Sequence, residues 1–193
     1  EMNMHMPQND EAESELRYLA NIPNHIVSPA NNKPIIGIFQ DSMIGSFLFT
    51  RENIEFTRKE AMNLLMKTNV YKTTTLFEDE SKEKFSSFEV LSEIIPSITL
   101  KYKTDRFKPS EDYAKSNKVL EIKNGELKRG QFDKGVLGGS SKGLLHRIKK
   151  DYNANSCKDF VDNLQGIITE YMKTTGFSVG ISDLIADDNT NEE

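Results

Sequence analysis

Between residues 156 and 174, Phe160, Leu164, Ile167, Ile168 and Tyr171 recur at spacings of three and four. That spacing gathers side chains on one face of a helix with 3.6 residues per turn. The stripe therefore predicts the strongest helix of the chain, capped by Ser156, with Asp159 in its first turn and Gly176 at its stop. A helix with one apolar face draws its stability from covering that face. The rest of the chain must then supply a core against it. Apolar residues at 36% allow a real but modest one, and charges of both signs at 28% mark a globular chain rather than a disordered one.

Two capping boxes fix further helix starts. Thr57 with Glu60 precedes Ala61, Leu64 and Leu65, and Ser86 with Glu89 precedes Val90, Leu91 and Ile94. Pro96 ends the second of these helices. Asp10 with Glu13 suggests a capping pair for a helix to about Ala20, with Ala12, Leu16 and Leu19 on one face. Residues 21–32 carry two prolines and favour turns. The run from Pro34 to Phe39 reads as a short buried strand. Gln40 to Phe49 is ambiguous in period and is taken as a helix, with Met43, Phe47 and Leu48 on a shared face.

Residues 71–84 read as loop. Ile98 to Tyr102 alternates like a half-exposed strand, and a charged loop follows it to Lys118. Val119 to Phe132 reads as a hairpin turning at Asn124-Gly125, a pair that accepts the positive φ angles of a type I′ turn. Gly135 to Gly139 reads as a bend, and Lys142 to Tyr152 as a short basic helix. The acidic stretch from Asp187 onward is expected to fray. The sum is a mixed α+β fold: several helices with small antiparallel strands and a hairpin.

Some functions are disfavoured at this level. A net charge of −5 does not suit a free-standing nucleic-acid binder. Cys157, the single cysteine, can form neither an intrachain disulfide nor a cysteine-rich zinc site, and it fits a reducing intracellular compartment. No apolar run approaches the roughly 20 residues that cross a bilayer. Residues 138–143, Gly-Gly-Ser-Ser-Lys-Gly, lack the spacing of a phosphate loop. His5, His25 and His146 lie far apart, without the spacing of metal ligands.

Four stretches carry a resemblance. They are Glu1-Met2-Asn3-Met4-His5-Met6-Pro7-Gln8, the segment from Ile26 to Asp41 with its Ser-Pro turn and Lys33-Pro34 pair, the glycine-serine stretch from Gly138 to His146, and Gly176 to Asp187. In order and spacing they resemble the largest subunit of multisubunit DNA-directed RNA polymerases, of the eukaryotic, archaeal or large-DNA-virus type. The resemblance covers roughly residues 1–187. It implies that residues 1–21 follow the active-site loop, 22–155 form the pore domain, and 156–193 hold the long helix and the start of the funnel. It also implies an intracellular place: the nucleus, or a viral replication site or virion.

In that family two metal ions stabilise the attacking and leaving oxygens of nucleotidyl transfer. The resemblance places the three magnesium-holding aspartates just upstream of Glu1. The chain, which starts at Glu1 and not at methionine, is then expected to be cut from something larger. Mg2+ is expected in the complete polymerase and not on this piece alone. The implied role is to line the secondary channel and support the active loop. The implied partners are the other polymerase subunits, template DNA, RNA, nucleoside triphosphates and a transcript-cleavage factor, with no membrane. A rival reading is a non-catalytic module that docks another subunit or the cleavage factor.

No residue stands out as catalytic. Glu1, Asn3 and His5 are candidates for active-site support, though His5 has no carboxylate or nucleophile at a telling spacing. Asn31, Lys33, Gln40 and Asp41 are candidates for the channel face. The alternative for the first two is ordinary turn chemistry, and for the last two a helix cap. Lys142, Arg147 and Lys150, with Arg147 and Lys150 on one helical face, could hold phosphates or an acidic partner. A solvated face is the plainer reading of the same residues.

Overall fold

The computed structural model describes residues 3–72 and 74–186. Helix α1, Asp10–Tyr18, starts one residue earlier than its Asp-Glu pair suggested. Asn9 is the cap, its side-chain oxygen accepting from the Ala12 amide at 2.8 Å. Glu13 instead pairs with Arg17, four residues on, at 2.6 Å. No residue of α1 is buried, so the face with Leu16 lies open. A 3-10 turn, Ile22–His25, leads to β1, Val27–Ser28, which pairs antiparallel with β2, Lys33–Pro34.

The expected strand through Phe39 does not form. After β2 only the Ile35 amide continues the pairing, to the Ile26 carbonyl at 2.8 Å. The chain then runs as an extended strap in which Ile38 is buried, while Ile35 is 62% exposed and Phe39 53% exposed. Helix α2, Gln40–Phe49, forms over the expected residues, but it buries Gly45, Ser46 and Phe49, while Met43, Phe47 and Leu48 of the expected face are only partly buried.

Strand β3, Glu55–Thr57, pairs antiparallel with β4, Lys84–Ser86, and each runs straight into a helix. These are α3, Arg58–Leu65, and α4, Ser87–Ser92. Both begin with a complete capping box, in which the Thr57 and Ser86 hydroxyls accept from the Glu60 and Glu89 amides. The glutamate side chains return the bond to the cap amides, each at 2.8 Å. Strand β5, Leu100–Lys103, pairs with β6, Val119–Lys123, which pairs with β7, Glu126–Arg129, all antiparallel. Asn124 and Gly125 turn the hairpin with φ of 51° and 84°, the left-handed geometry a type I′ turn requires.

The glycine-rich bend holds a short helix, α5, Lys134–Leu137, started by Asp133, whose carboxylate accepts from the Val136 amide. Helix α6, Leu144–Asp151, is the basic helix. Helix α7, Ala154–Thr175, begins two residues before the expected cap Ser156. Asn153 takes that place, accepting from the Ser156 amide at 2.8 Å, because its backbone is extended and its side chain can turn back. Gly176 ends α7 with a φ of 65°.

Phe160, Leu164, Ile167, Ile168 and Tyr171 of α7 lie in one core with residues from α2, α3, α4, the β5–β7 sheet and α6. Phe49 stacks on Phe56 at 5.2 Å and meets Tyr171 edge-on at 5.0 Å. Burying a large apolar side chain of this kind contributes about 1.5–3 kcal/mol. Removing any of the three rings would therefore loosen the contact between α2, β3 and α7. Beyond α7, a 3-10 turn, Ile181–Leu184, leaves Phe177, Val179, Ile181 and Leu184 exposed. The expected fraying from Asp187, like the candidate Glu1, lies outside the described residues.

Candidate functional site

Backbone packing brings three separate sequence stretches onto one surface. The Ile38 amide donates to the Leu137 carbonyl at 3.1 Å, so the strap after β2 runs beside α5 and the bend that follows it. A Cβ on Gly37 would stand 3.1 Å from the same carbonyl, and one on Gly139 would stand 3.0 Å from the Pro34 carbonyl. Both close approaches work because no side chain intervenes. At the far side of the strap, His146 Nε2 on α6 lies 3.4 Å from Asn32 Oδ1 in the β1–β2 turn.

Asn31 and Lys33 flank Asn32 and are exposed on that turn. Asn32 has a φ of 51°, which asparagine tolerates because its short amide can bond locally. Gln40 and Asp41 are exposed at the start of α2, where the strap ends. Neither makes a side-chain cap, and the helix's cap position is Phe39, which has none to offer. Gln40 itself has a φ of 51°, against the preference of an unbranched side chain with no short local bond. Asn3 and His5 are also exposed, on the segment that precedes α1.

Lys142, Arg147 and Lys150 border a bowl of about 230 Å³, together with Ser141, His146 and, on β5, Leu100 and Tyr102. The Arg147 Nε is held by the Asp151 carboxylate at 2.5 Å. Tyr102 Oη is buried and, among the described residues, has no hydrogen-bond partner. Burial pushes its phenol well above the ordinary range, and the nearby Asp133 and Asp105 charges push the same way. Burial also raises the Asp133 carboxyl, against the Val136 and Gly135 amides that favour its charged form.

The basic residues of the bowl were legible as a charge cluster. Tyr102, Leu100 and Asn32 were not, because contacts across 40 or more positions leave no local pattern. Cys157 is buried, and its thiol is pushed up to about 11 by desolvation, which makes it inert. Among the described residues no three His, Cys, Asp or Glu side chains converge as metal ligands. Asp41, the one carboxylate among the described candidates, stands alone, so these residues do not fit a magnesium site and no chemical step is assigned to a metal here. No helix among the described residues is long and apolar enough to cross a membrane.

Residues 25–184, which hold the strap, the glycine bend, α6 and α7, match the family model RNA polymerase Rpb1, domain 3. The chain belongs to that family. It is similar to DNA-directed RNA polymerase subunit Rpo1N of Methanococcus vannielii, with 30% identity over 190 residues, which is 95% of this chain and 21% of that protein. It is also similar to DNA-directed RNA polymerase subunit 1 of Acanthamoeba polyphaga mimivirus, 31% identical over 196 residues, covering 100% of this chain and 12% of the relative. Human DNA-directed RNA polymerase III subunit RPC1 is 29% identical over 202 residues, covering 95% and 14%. The chain therefore spans between about one eighth and one fifth of the length of these relatives.

Proposed function

We propose that this chain is the part of a DNA-directed RNA polymerase largest subunit that walls the secondary channel and supports the active-site loop during templated transcription. The observation that carries the reading is the single surface made by the strap from Lys33 to Asp41, the glycine bend and α6, within a chain of this family. In this reading residues 1–21 follow the active-site loop, 22–155 form the pore domain, and 156–193 begin the funnel. Asn31, Lys33, Gln40 and Asp41 face the channel; Glu1, Asn3 and His5 stand nearer the active loop.

The chain would act as scaffold in a nucleotidyltransferase whose Mg2+ is held by carboxylates outside it. Its partners would be the other subunits, with template DNA, RNA and nucleoside triphosphates reaching it only in the assembled enzyme. The setting would be the nucleus or a viral replication site. Reconstitution tests this. The chain alone is expected to make no RNA, and joining it to the remainder of the subunit and its partners is expected to restore templated synthesis. Polymerisation by the isolated chain would defeat the assignment.

One observation favours a second use of the same chain. Lys142 and Lys150 have no acidic partner among the described residues, so the α6 face carries uncompensated charge. It could dock an acidic surface of another subunit or of a transcript-cleavage factor. Reversing Arg147 and Lys150 to glutamate should then abolish factor binding while leaving assembly intact.

A further inference from the structure

The bowl between α6 and β5 concentrates positive charge in a chain that is otherwise acidic. Lys142, Arg147 and Lys150 stand on its rim, where Asp151 pairs with Arg147, while the whole chain carries a net charge of −5. The three come from two positions in the fold. Lys142 lies on the loop before α6, and Arg147 and Lys150 lie on successive turns of α6, at the spacing that puts i and i+3 side by side. His146 turns its Nε2 to Asn32 and so closes the side of the bowl toward the β1–β2 turn. Leu100 and Tyr102 form the apolar wall.

Arg147 is paired on one side. Asp151, four residues on along α6, stands 2.5 Å from its Nε. A planar fork favours an anion with paired oxygens, and lysines beside it act as point charges. The size decides between whole ligands and single groups. About 230 Å³ falls below the roughly 300–1,000 Å³ of sites that enclose a drug-sized molecule. Charge decides between anions. A phosphate monoester, with close to two charges, answers the three rim cations more fully than a carboxylate does, although Asp151 pairs with Arg147 and the Asp133 and Asp105 charges act on the Tyr102 wall.

We infer that this bowl is a binding site for a single phosphate group, held by Lys142, Arg147 and Lys150 against the Tyr102 wall. The group is a terminal phosphate, carried either by a free nucleotide or by the end of a nucleic-acid strand. The inference rests on reading the α6 face as an anion-binding face, and it does not depend on the channel-wall reading, which reconstitution tests by a different readout.

The test is titration of the full 193-residue chain with inorganic phosphate at constant ionic strength, followed by thermal unfolding, with chloride as reference. A ligand that binds only the folded chain raises its midpoint in a saturating way. Lys142→Ala and Lys150→Ala are expected to weaken the apparent affinity at least about tenfold each, the loss of one charge-assisted contact. Lys142→Arg should keep most of it, and Lys128→Ala, on the distant hairpin, should change nothing. Far-ultraviolet circular dichroism confirms that each variant is folded. Displacement of phosphate by a nucleoside triphosphate but not by a short single-stranded RNA with a terminal phosphate identifies the free nucleotide as the source, and the reverse identifies the strand. No saturable response to phosphate overturns the inference. So does a response equal in the wild type and both alanine variants, or capture of poly-glutamate with none of phosphate.

Discussion

The amide of Ile38 donates to the carbonyl of Leu137 at 3.1 Å, and the Ile38 side chain is buried at the point where the strap meets α5. Three positions earlier Ile35 is 62% exposed. The two isoleucines should therefore differ sharply. Ile38→Ala should cost about 2–4 kcal/mol through lost burial and the cavity left behind. Ile35→Ala should stay within about 0.5 kcal/mol. Urea unfolding with an unchanged slope measures both, and the reverse ranking would mean that the strap faces the other way.

Gly45 gives α2 its approach to α7. A Cβ there would stand 2.4 Å from Ile168 Cγ2 and 2.8 Å from Met172 Cγ. Alanine is the better helix former by about 1 kcal/mol, yet Gly45→Ala should destabilise the chain by about 1–3 kcal/mol through overpacking. The cause is local, so Ile168→Ala made in the same chain should recover part of the loss. A double-mutant cycle with no coupling would exclude the contact as the reason.

These two sites show what the sequence could and could not carry. The capping boxes at Thr57 and Ser86 and the Asn124-Gly125 turn were readable because each is closed by groups at most three residues apart. The α7 stripe was readable because its period is local, although its start was placed at Ser156 when Asn153 holds the cap. The Ile-rich strap looked like a strand because composition does not say whether a partner strand exists. Its Ile38 amide goes instead to α5, a helix that the surrounding glycines concealed. At the candidate site, Lys142, Arg147 and Lys150 were visible as charge. The wall at Tyr102 and the His146–Asn32 contact join residues far apart in sequence, so they emerge only from the folded chain.

Acid should destabilise the chain through its capping glutamates. Burial alone would raise Glu89, but its bonds to Lys82 and to Ser86 outweigh that and hold it below the usual range. The Thr57 amide and hydroxyl lower Glu60. A carboxylate whose folded pKa lies below its unfolded value, about 4.3 for glutamate, binds fewer protons folded than unfolded. Its contribution is complete above that unfolded value and is lost as pH falls through the folded one. Thermal midpoints of wild type and Glu89→Gln should therefore draw together as pH falls below about 4.3. A gap that stays constant throughout that fall would place the effect outside this ionisation.

Gln40 holds a φ of 51°, and the other non-glycine residues with positive φ, Asn32, Asn53 and Asn124, are all asparagine. Asparagine tolerates the left-handed region. A longer side chain there costs about 1–2 kcal/mol. The Gln40 side chain is exposed, and no hydrogen bond of the described residues involves it, so nothing in the fold offsets that cost. Gln40→Gly relieves the strain but adds about 0.5–1 kcal/mol of unfolded-state entropy. The net expectation is a stabilisation of roughly 0.5–1 kcal/mol. Gln40→Val should instead destabilise by more than about 1 kcal/mol, since a β-branched residue fits that region worst. Backbone strain tolerated at an exposed residue points to a role beyond stability. On the channel-wall reading, the glycine variant should raise the unfolding midpoint of the chain yet slow RNA synthesis by the reconstituted enzyme. Chemical unfolding and a templated extension assay separate the two effects. A glycine variant less stable than wild type would remove the strain argument, and one that is stabilised and fully active would leave Gln40 without a place in the channel.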